Sequence, residues 1–356
     1  MRAAREHHGE VGGSTAEAQR CGVRRLCPGL ERVVLGRDSG TDPDRSTILR
    51  PVPRAEVIAL FGPTGVGKTD VAIELARRLR GLGERPVAVS ADALQVYQGL
   101  ETLTGAATQR ERTQLEHRLI SFLPVDASFS AGQYAELAHA EIDALLAAGD
   151  RPIVVGGTGL YLRAALAELS LRPPPPEGAR EYWVAELERR GAPALHGLLR
   201  ERAPWAASEI DPGDRQRIVR ALELLDAGEL DRQTEDSQLW TSEVRHPTLL
   251  VGLVLERPQL YDRIDARVDA MVAVGAEDEV RRAYAAGASP TARKALGFEE
   301  LLAGDVDSMK RRTRNYARRQ LTWMRKLADV HIVDTTGRSP TETAGEVLQI
   351  WLGSGS

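Results

Sequence analysis

Residues Gly62-Pro63-Thr64-Gly65-Val66-Gly67-Lys68-Thr69 follow the spacing of a phosphate cradle: one glycine, four residues, then Gly-Lys-Thr. Glycines there let successive backbone N–H groups curl around a phosphate, and a helix starting at the end of the loop adds positive potential. Lys68 supplies a compact positive charge, and the Thr69 hydroxyl is the kind of group that ligates Mg²⁺ beside a phosphate. In a chain of this composition the four specified positions match by chance on the order of 0.003 times. The bland alternative is a glycine-rich turn that binds nothing. It fits poorly, because an apolar strand precedes the loop and an amphipathic helix follows it. The motif specifies di- or triphosphate binding and leaves open which bond breaks.

A carboxylate narrows the chemistry. Asp92 closes the second apolar run, in Ser90-Ala91-Asp92-Ala93-Leu94-Gln95-Val96-Tyr97. The C-terminal edge of a parallel strand faces the ligand crevice, so Asp92 is placed to take a proton from an attacking nucleophile. Its other reading is a helix N-cap after a strand. The run ending Val154-Val155-Gly156-Gly157-Thr158 carries no acid at its tip. A motor ATPase or GTPase would put its Mg²⁺-binding Asp there.

These groups need strands and helices to hold them. Residues 57–61 are a short apolar run suited to a buried parallel strand. A helix follows from about Asp70, with Val71, Ala72, Leu75, Ala76 and Leu79 on one face, and Gly81 and Gly83 stop it. Residues 87–90 and 152–155 read as further strands, with a helix over 131–148 between them. This alternation predicts an α/β fold, a P-loop NTPase-like parallel sheet flanked by helices. The prolines Pro173 to Pro176 break the rhythm, and residues 173–245 read as a small helical insertion domain. Residues 251–255 return to the sheet, 261–323 are mostly helical, and 331–333 form a last strand. The core is therefore expected at 55–172 and 246–340, with a C-terminal tail at 341–356. Residues 1–54 lack periodicity and read as a disordered extension or an over-extended start. Glu6, Glu10, Glu17 and Glu31 argue against a transit peptide there.

Composition excludes several classes. With 356 residues, 42% hydrophobic and 28% charged, the chain can bury a sizeable core and is neither disordered throughout nor collagen-like. Cys21 and Cys27 cannot build a disulfide framework or a zinc ribbon, which suits a reducing cytoplasm. The seven histidines are scattered without metal-site spacing. No apolar run approaches the ~18 residues that span a bilayer. A cytoplasmic monomer with no membrane contact is the expectation.

The net charge of −4 hides a division along the chain. Residues 310–326 hold eight Lys or Arg and no acid, whereas 1–54 net +3 and the remainder is strongly acidic. On a helical wheel Arg311, Arg314, Arg318 and Arg325 share one face, with Tyr316, Trp323 and Leu327 opposite. That pattern turns aromatics into the body and guanidinium groups toward a polyanion; a solvated charged face is the alternative. Between Asp214 and Glu223, Arg217 and Arg220 share a second face, read as an RNA contact or as intrahelical pairing of Arg220 with Glu223.

Taken together, these segments resemble the tRNA dimethylallyltransferases, also called tRNA isopentenyltransferases. The likeness covers roughly residues 56–335. It rests on the phosphate cradle, Ser90-Ala91-Asp92 with Gln95-Val96-Tyr97, and Gly156-Gly157-Thr158-Gly159-Leu160-Tyr161. It continues through Asp214-Arg215-Gln216-Arg217-Ile218, Ala292-Arg293-Lys294-Ala295-Leu296-Gly297-Phe298 and Thr313-Arg314-Asn315-Tyr316-Ala317-Arg318-Arg319-Gln320. The resemblance implies transfer of a dimethylallyl group from its diphosphate to N6 of the adenosine 3′ of the anticodon in a tRNA anticodon stem-loop. The cradle would hold the diphosphate leaving group rather than ATP. Asp92 would then be the base, and Thr64 would line the channel. Lys68, Thr69 with Mg²⁺, and Arg263 would balance the charge on the pyrophosphate. Asp92, Ala93, Leu94, Gln95, Thr158, Arg180, Gln216, Arg217, Arg220 and Arg293 would touch the tRNA, with Arg314 and Arg318 on the basic helix.

Three segments depart from the family pattern. After Tyr97-Gln98-Gly99-Leu100 the family's Asp-Ile-Gly-Thr-Ala-Lys is replaced across residues 101–108, and its lysine is missing. Ala93 stands where a serine is usual, and a His-His-Leu-Ile-Asp block reads Glu116-His117-Arg118-Leu119-Ile120-Ser121. Two other activities compete: prenylation of free adenine nucleotides, and phosphoryl transfer by a small-molecule P-loop kinase using Lys68 and Asp92.

Overall fold

The computed structural model describes residues 54–171, 176–230 and 238–354. The extension expected over 1–54, apart from Arg54, lies outside the described residues, as do Pro173 to Pro175. Six strands form one parallel sheet: β1 (Val57–Phe61), β2 (Pro86–Ala91), β3 (His117–Arg118), β4 (Arg151–Gly156), β5 (Thr248–Val254) and β6 (Val330–Asp334). Their order is β3-β2-β4-β1-β5-β6. β1 is buried along its whole length between β4 and β5, as a continuous Val-Ile-Ala-Leu-Phe run requires when helices cover both faces.

The first helices are α1 (Lys68–Gly81), α2 (Glu101–Thr104), α3 (Gln109–Gln114), α4 (Ala131–Ala147) and α5 (Gly159–Leu166). Ile58, Leu60 and Val251 pack with α1 residues such as Leu75 on one face of the sheet, and Ala59, Phe61, Val89 and Val154 pack with α4 and α5 on the other. The register sets Ala91 and Phe61 both opposite Gly156. Only glycine fits there, since a Cβ would lie 2.2 Å from the Ala91 carbonyl oxygen. The ends of β2, β4 and β1 thus come side by side, and the chain leaves all three toward one crevice.

Helices α6 (Ala179–Arg190), α7 (Ala192–Arg202), α8 (Pro204–Glu209) and α9 (Arg215–Ala227) fill the segment read as an insertion. They have their own core of Trp183, Leu187, Leu195, Leu199, Ile218 and Leu222. After β5 come α10 (Arg257–Ala273), α11 (Ala276–Ala285), α12 (Phe298–Leu302) and α13 (Val306–Met324), and α14 (Pro340–Gly353) follows β6.

Three expectations change. The tail expected at 341–356 is instead helix α14 as far as Gly353, opened by a Ser339–Glu342 capping box. It packs on α1, and its fully buried Trp351 donates its indole N–H to the Ala55 carbonyl at 2.9 Å. The first helix starts at Lys68 rather than Asp70, which puts the cradle's lysine and threonine in its first turn. β3 has two residues, too few for an alternation pattern to register in sequence.

Candidate active site

The phosphate loop turns on Gly65 and Gly67, whose φ angles of 83° and 98° are left-handed and favour glycine. Gly67 caps α1 without a side chain, so the first amides of the helix stay directed at the crevice. Lys68 folds back over the loop, its Nζ donating to the carbonyls of Gly62 at 2.9 Å and Pro63 at 3.0 Å. Burial brings its amine down to about 8, Asp92 pulling it back up and Arg267 pushing it further down.

Asp92 sits one residue beyond β2, across the crevice from the loop. Its Oδ1 accepts the Leu94 N–H at 3.0 Å and its Oδ2 faces the Thr158 hydroxyl at 3.5 Å. Burial raises its pKa above the ordinary carboxylate value, against the Leu94 N–H bond and Lys68, which lower it. A carboxylate held partly desolvated beside a lysine suits proton abstraction.

Loop and carboxylate line one cavity of about 490 Å³. Thr64, Lys68, Thr69, Asp92 and Gln95 form its polar end, and Leu103, Val268, Met271, Leu296 and Met309 form an apolar wall. The divergent loop at 101–108 supplies part of that wall. Glu279 accepts the N–H groups of Thr102 and Leu103 at 3.0 and 2.8 Å, fixing the start of α2. At its end, the Gly105 carbonyl accepts from Gln95 at 3.4 Å and Arg267 at 3.3 Å.

Two arginines of α10 approach the site. Arg263 lies over the phosphate loop: its guanidinium donates to the Val66 carbonyl at 3.4 Å, stands 3.9 Å from where a Gly67 side chain would begin, and faces Asp70. Arg267, one turn further along α10, is the guanidinium in the cavity wall. Gln320 and Tyr316 of α13 also belong to the site, although the wheel assigned Tyr316 to packing. Gln320 accepts the Thr64 N–H at 2.9 Å and donates to the Gly157 carbonyl at 2.8 Å, bracing both catalytic loops. The Tyr316 hydroxyl lies 3.2 Å from that of Thr158.

The remaining expected RNA contacts divide. Arg217 of α9 meets Asn315, Arg318, Arg319 and Lys326 of the α13 region in a groove with Trp240 and Trp323. Gln216 is exposed beside Arg217. Arg314, expected on the RNA face, is instead drawn to Asp265 of α10 at 2.5 and 2.6 Å, because that face of α13 packs against α10. Arg180 and Arg220 both bind the fully buried Glu223, at 2.9 and 3.3 Å, so the intrahelical pairing considered for Arg220 is present. Arg293 pairs with Glu299 at 2.8 Å and lies over the Tyr284 ring. Ala93 is half-buried against the core, and Leu94 lines the cavity.

A glycine-rich loop after β1, a carboxylate after β2 and a hydroxyl after β4, on one parallel sheet flanked by helices, define an α/β protein with a P-loop NTPase-like fold. Known proteins make the assignment specific. The family profile described as IPP transferase matches residues 95–327. The tRNA dimethylallyltransferase of Kineococcus radiotolerans is 39% identical over 311 residues, covering 84% of this chain and 97% of that one. The one from Streptomyces coelicolor is 39% identical, covering 79% and 90%. Among solved structures, the tRNA isopentenylpyrophosphate transferase of Bacillus halodurans aligns with a TM-score of 0.60 at 32% identity, covering 84% and 96%. The chain belongs to the tRNA dimethylallyltransferase (IPP transferase) family.

Proposed function

We propose that the protein transfers a dimethylallyl group from dimethylallyl diphosphate to N6 of the adenosine 3′ of the anticodon in tRNA, releasing diphosphate. The observation that carries this reading is one cavity joining a phosphate cradle, a half-buried carboxylate and an apolar wall. A prenyl diphosphate has that same division of character. The loop amides, Lys68, Arg263 and Arg267 bind and neutralise the diphosphate as its charge grows, the largest kind of catalytic contribution in a site shielded from water. Asp92 accepts the N6 proton as the C–N bond forms and the C–O bond to diphosphate breaks.

Mg²⁺ beside a bound diphosphate is compatible with a hydroxyl at the start of α1. The Thr69 hydroxyl, in the first turn of α1, would hold the ion together with diphosphate oxygens and waters. Among the described residues no cluster of three or more His, Cys, Asp or Glu would hold a metal by itself. When bound, the ion would add positive charge at the diphosphate.

The tRNA would lie along the groove of Arg217, Arg318, Arg319 and Lys326, where the aromatic surface of Trp240 is added to the cations. Among the described residues no helix is long and apolar enough to cross a membrane. The test is incubation with labelled dimethylallyl diphosphate and either unmodified tRNA or AMP. Label in tRNA supports the reading, and label in AMP alone moves the acceptor to free nucleotides. No label, with γ-phosphate transfer from ATP, overturns it in favour of a kinase.

A further inference from the structure

The carboxylate of Asp92 is restrained at both oxygens, and the second restraint originates on α13. Oδ1 takes the Leu94 N–H, and Oδ2 faces the Thr158 hydroxyl, which itself lies 3.2 Å from the Tyr316 hydroxyl. A threonine hydroxyl has one proton to give. When that proton points at Asp92, the Tyr316 hydroxyl must donate into the threonine oxygen. Burial, with the Asp92 charge adding to it, pushes the Tyr316 phenol well above its ordinary value, so it keeps its proton. The other charged or titratable groups facing Asp92 are Lys68 on α1, Tyr134 on α4, Tyr161 on α5 and Arg267 on α10. Tyr134 is committed elsewhere, donating to the Ser90 carbonyl at 2.9 Å. The helix that delivers Tyr316 is itself anchored to both catalytic loops one turn later, through Gln320.

We propose that Tyr316 is a positioning residue that acts through Thr158 to aim the second oxygen of Asp92 at the acceptor amine. The proposal rests on the reading of Asp92 as the base. In the step, the N6 lone pair bonds to the prenyl carbon and the C–O bond pair departs with diphosphate. One N6 proton passes to Asp92, while Thr158 and Tyr316 neither gain nor lose one.

The test compares Tyr316→Phe, Thr158→Val, their double variant and Thr158→Ser in steady-state transfer to tRNA across pH. Tyr316→Phe should lower kcat by roughly two- to tenfold, the worth of one hydrogen bond between neutral hydroxyls, with both KM values nearly unchanged. Its acid limb should move to higher pH, because the Thr158 bond holds Asp92 down. The double variant should be no worse than Thr158→Val alone, and Thr158→Ser should retain most of the rate. A purely structural role would lower the melting temperature without moving the limb. Wild-type kcat and pH limb in Tyr316→Phe, or fully multiplying effects in the double variant, would overturn the proposal. Asp92→Asn keeps the two claims apart. If it retains turnover the base assignment fails, whereas an inactive Asp92→Asn beside a normal Tyr316→Phe sinks this inference alone.

Discussion

At the strand ends, Gly62, Asp92 and Thr158 take their places from three neighbouring strands whose register leaves no alternative. Along α13, arginines a single turn apart have different surroundings: Arg314 is bound by Asp265 of α10, while Arg318 lines the groove with Arg217 and Lys326. In the first region position follows from backbone connectivity, so sequence spacing carries the chemistry. In the second it depends on which element packs against each face, and a helical wheel drawn for one helix does not contain that neighbour.

The largest effect expected is at the strand ends. Asp92→Asn should lower transfer by about 10²-fold or more while leaving prenyl diphosphate affinity nearly intact. Separate measurements of single-turnover rate and ligand binding would expose the opposite pattern. Lys68→Ala should weaken diphosphate binding by about ten- to a hundredfold, as a charged hydrogen-bonding partner is lost. In the wild type the lysine carries its charge below about 8 and sheds it above. Diphosphate affinity should therefore fall as pH rises past that point, and titration calorimetry should show proton uptake there. Lys68→Arg should abolish the dependence.

On α13 the effects shrink. Replacing Arg318 and Arg319 by alanine should reduce the salt slope of tRNA binding by about one and a half units, each phosphate contact being worth 0.7 to 0.9. Affinity for the prenyl diphosphate should stay level. Arg314→Ala should leave that slope alone and cost about 1 kcal/mol or less of stability, since its pair with Asp265 is partly exposed. A slope change in Arg314→Ala, measured across a salt series, would collapse the distinction between the two arginines.

What was legible follows the same division. The cradle, Asp92 and the strand alternation could be read because each is local. Arg267 gave no signal of its own, because only the placement of the helix axis shows that this arginine, four residues after Arg263, enters the cavity wall. Gln320 gave no signal, being one amide among charges, although its spacing of four from Tyr316 puts both on one side of α13. Helix α14 was missed despite adequate signals: Ser339 with Glu342 forms a capping box, and Ala344, Val347, Leu348 and Trp351 repeat at helical spacing.

The strand order has a consequence for synthesis. β1 emerges first, and its flanks are β4 on one side and β5 on the other. β5 begins only at Thr248, after the separate four-helix unit has been made. At the usual 5–20 residues per second, one edge of the strand that carries the phosphate loop stays without its partner for roughly ten to forty seconds on the ribosome. An unpaired row of N–H and C=O groups on an apolar strand is a template for association with other chains. Nascent chains stalled before β5 should therefore be clients of chaperones, and fragments released there should aggregate.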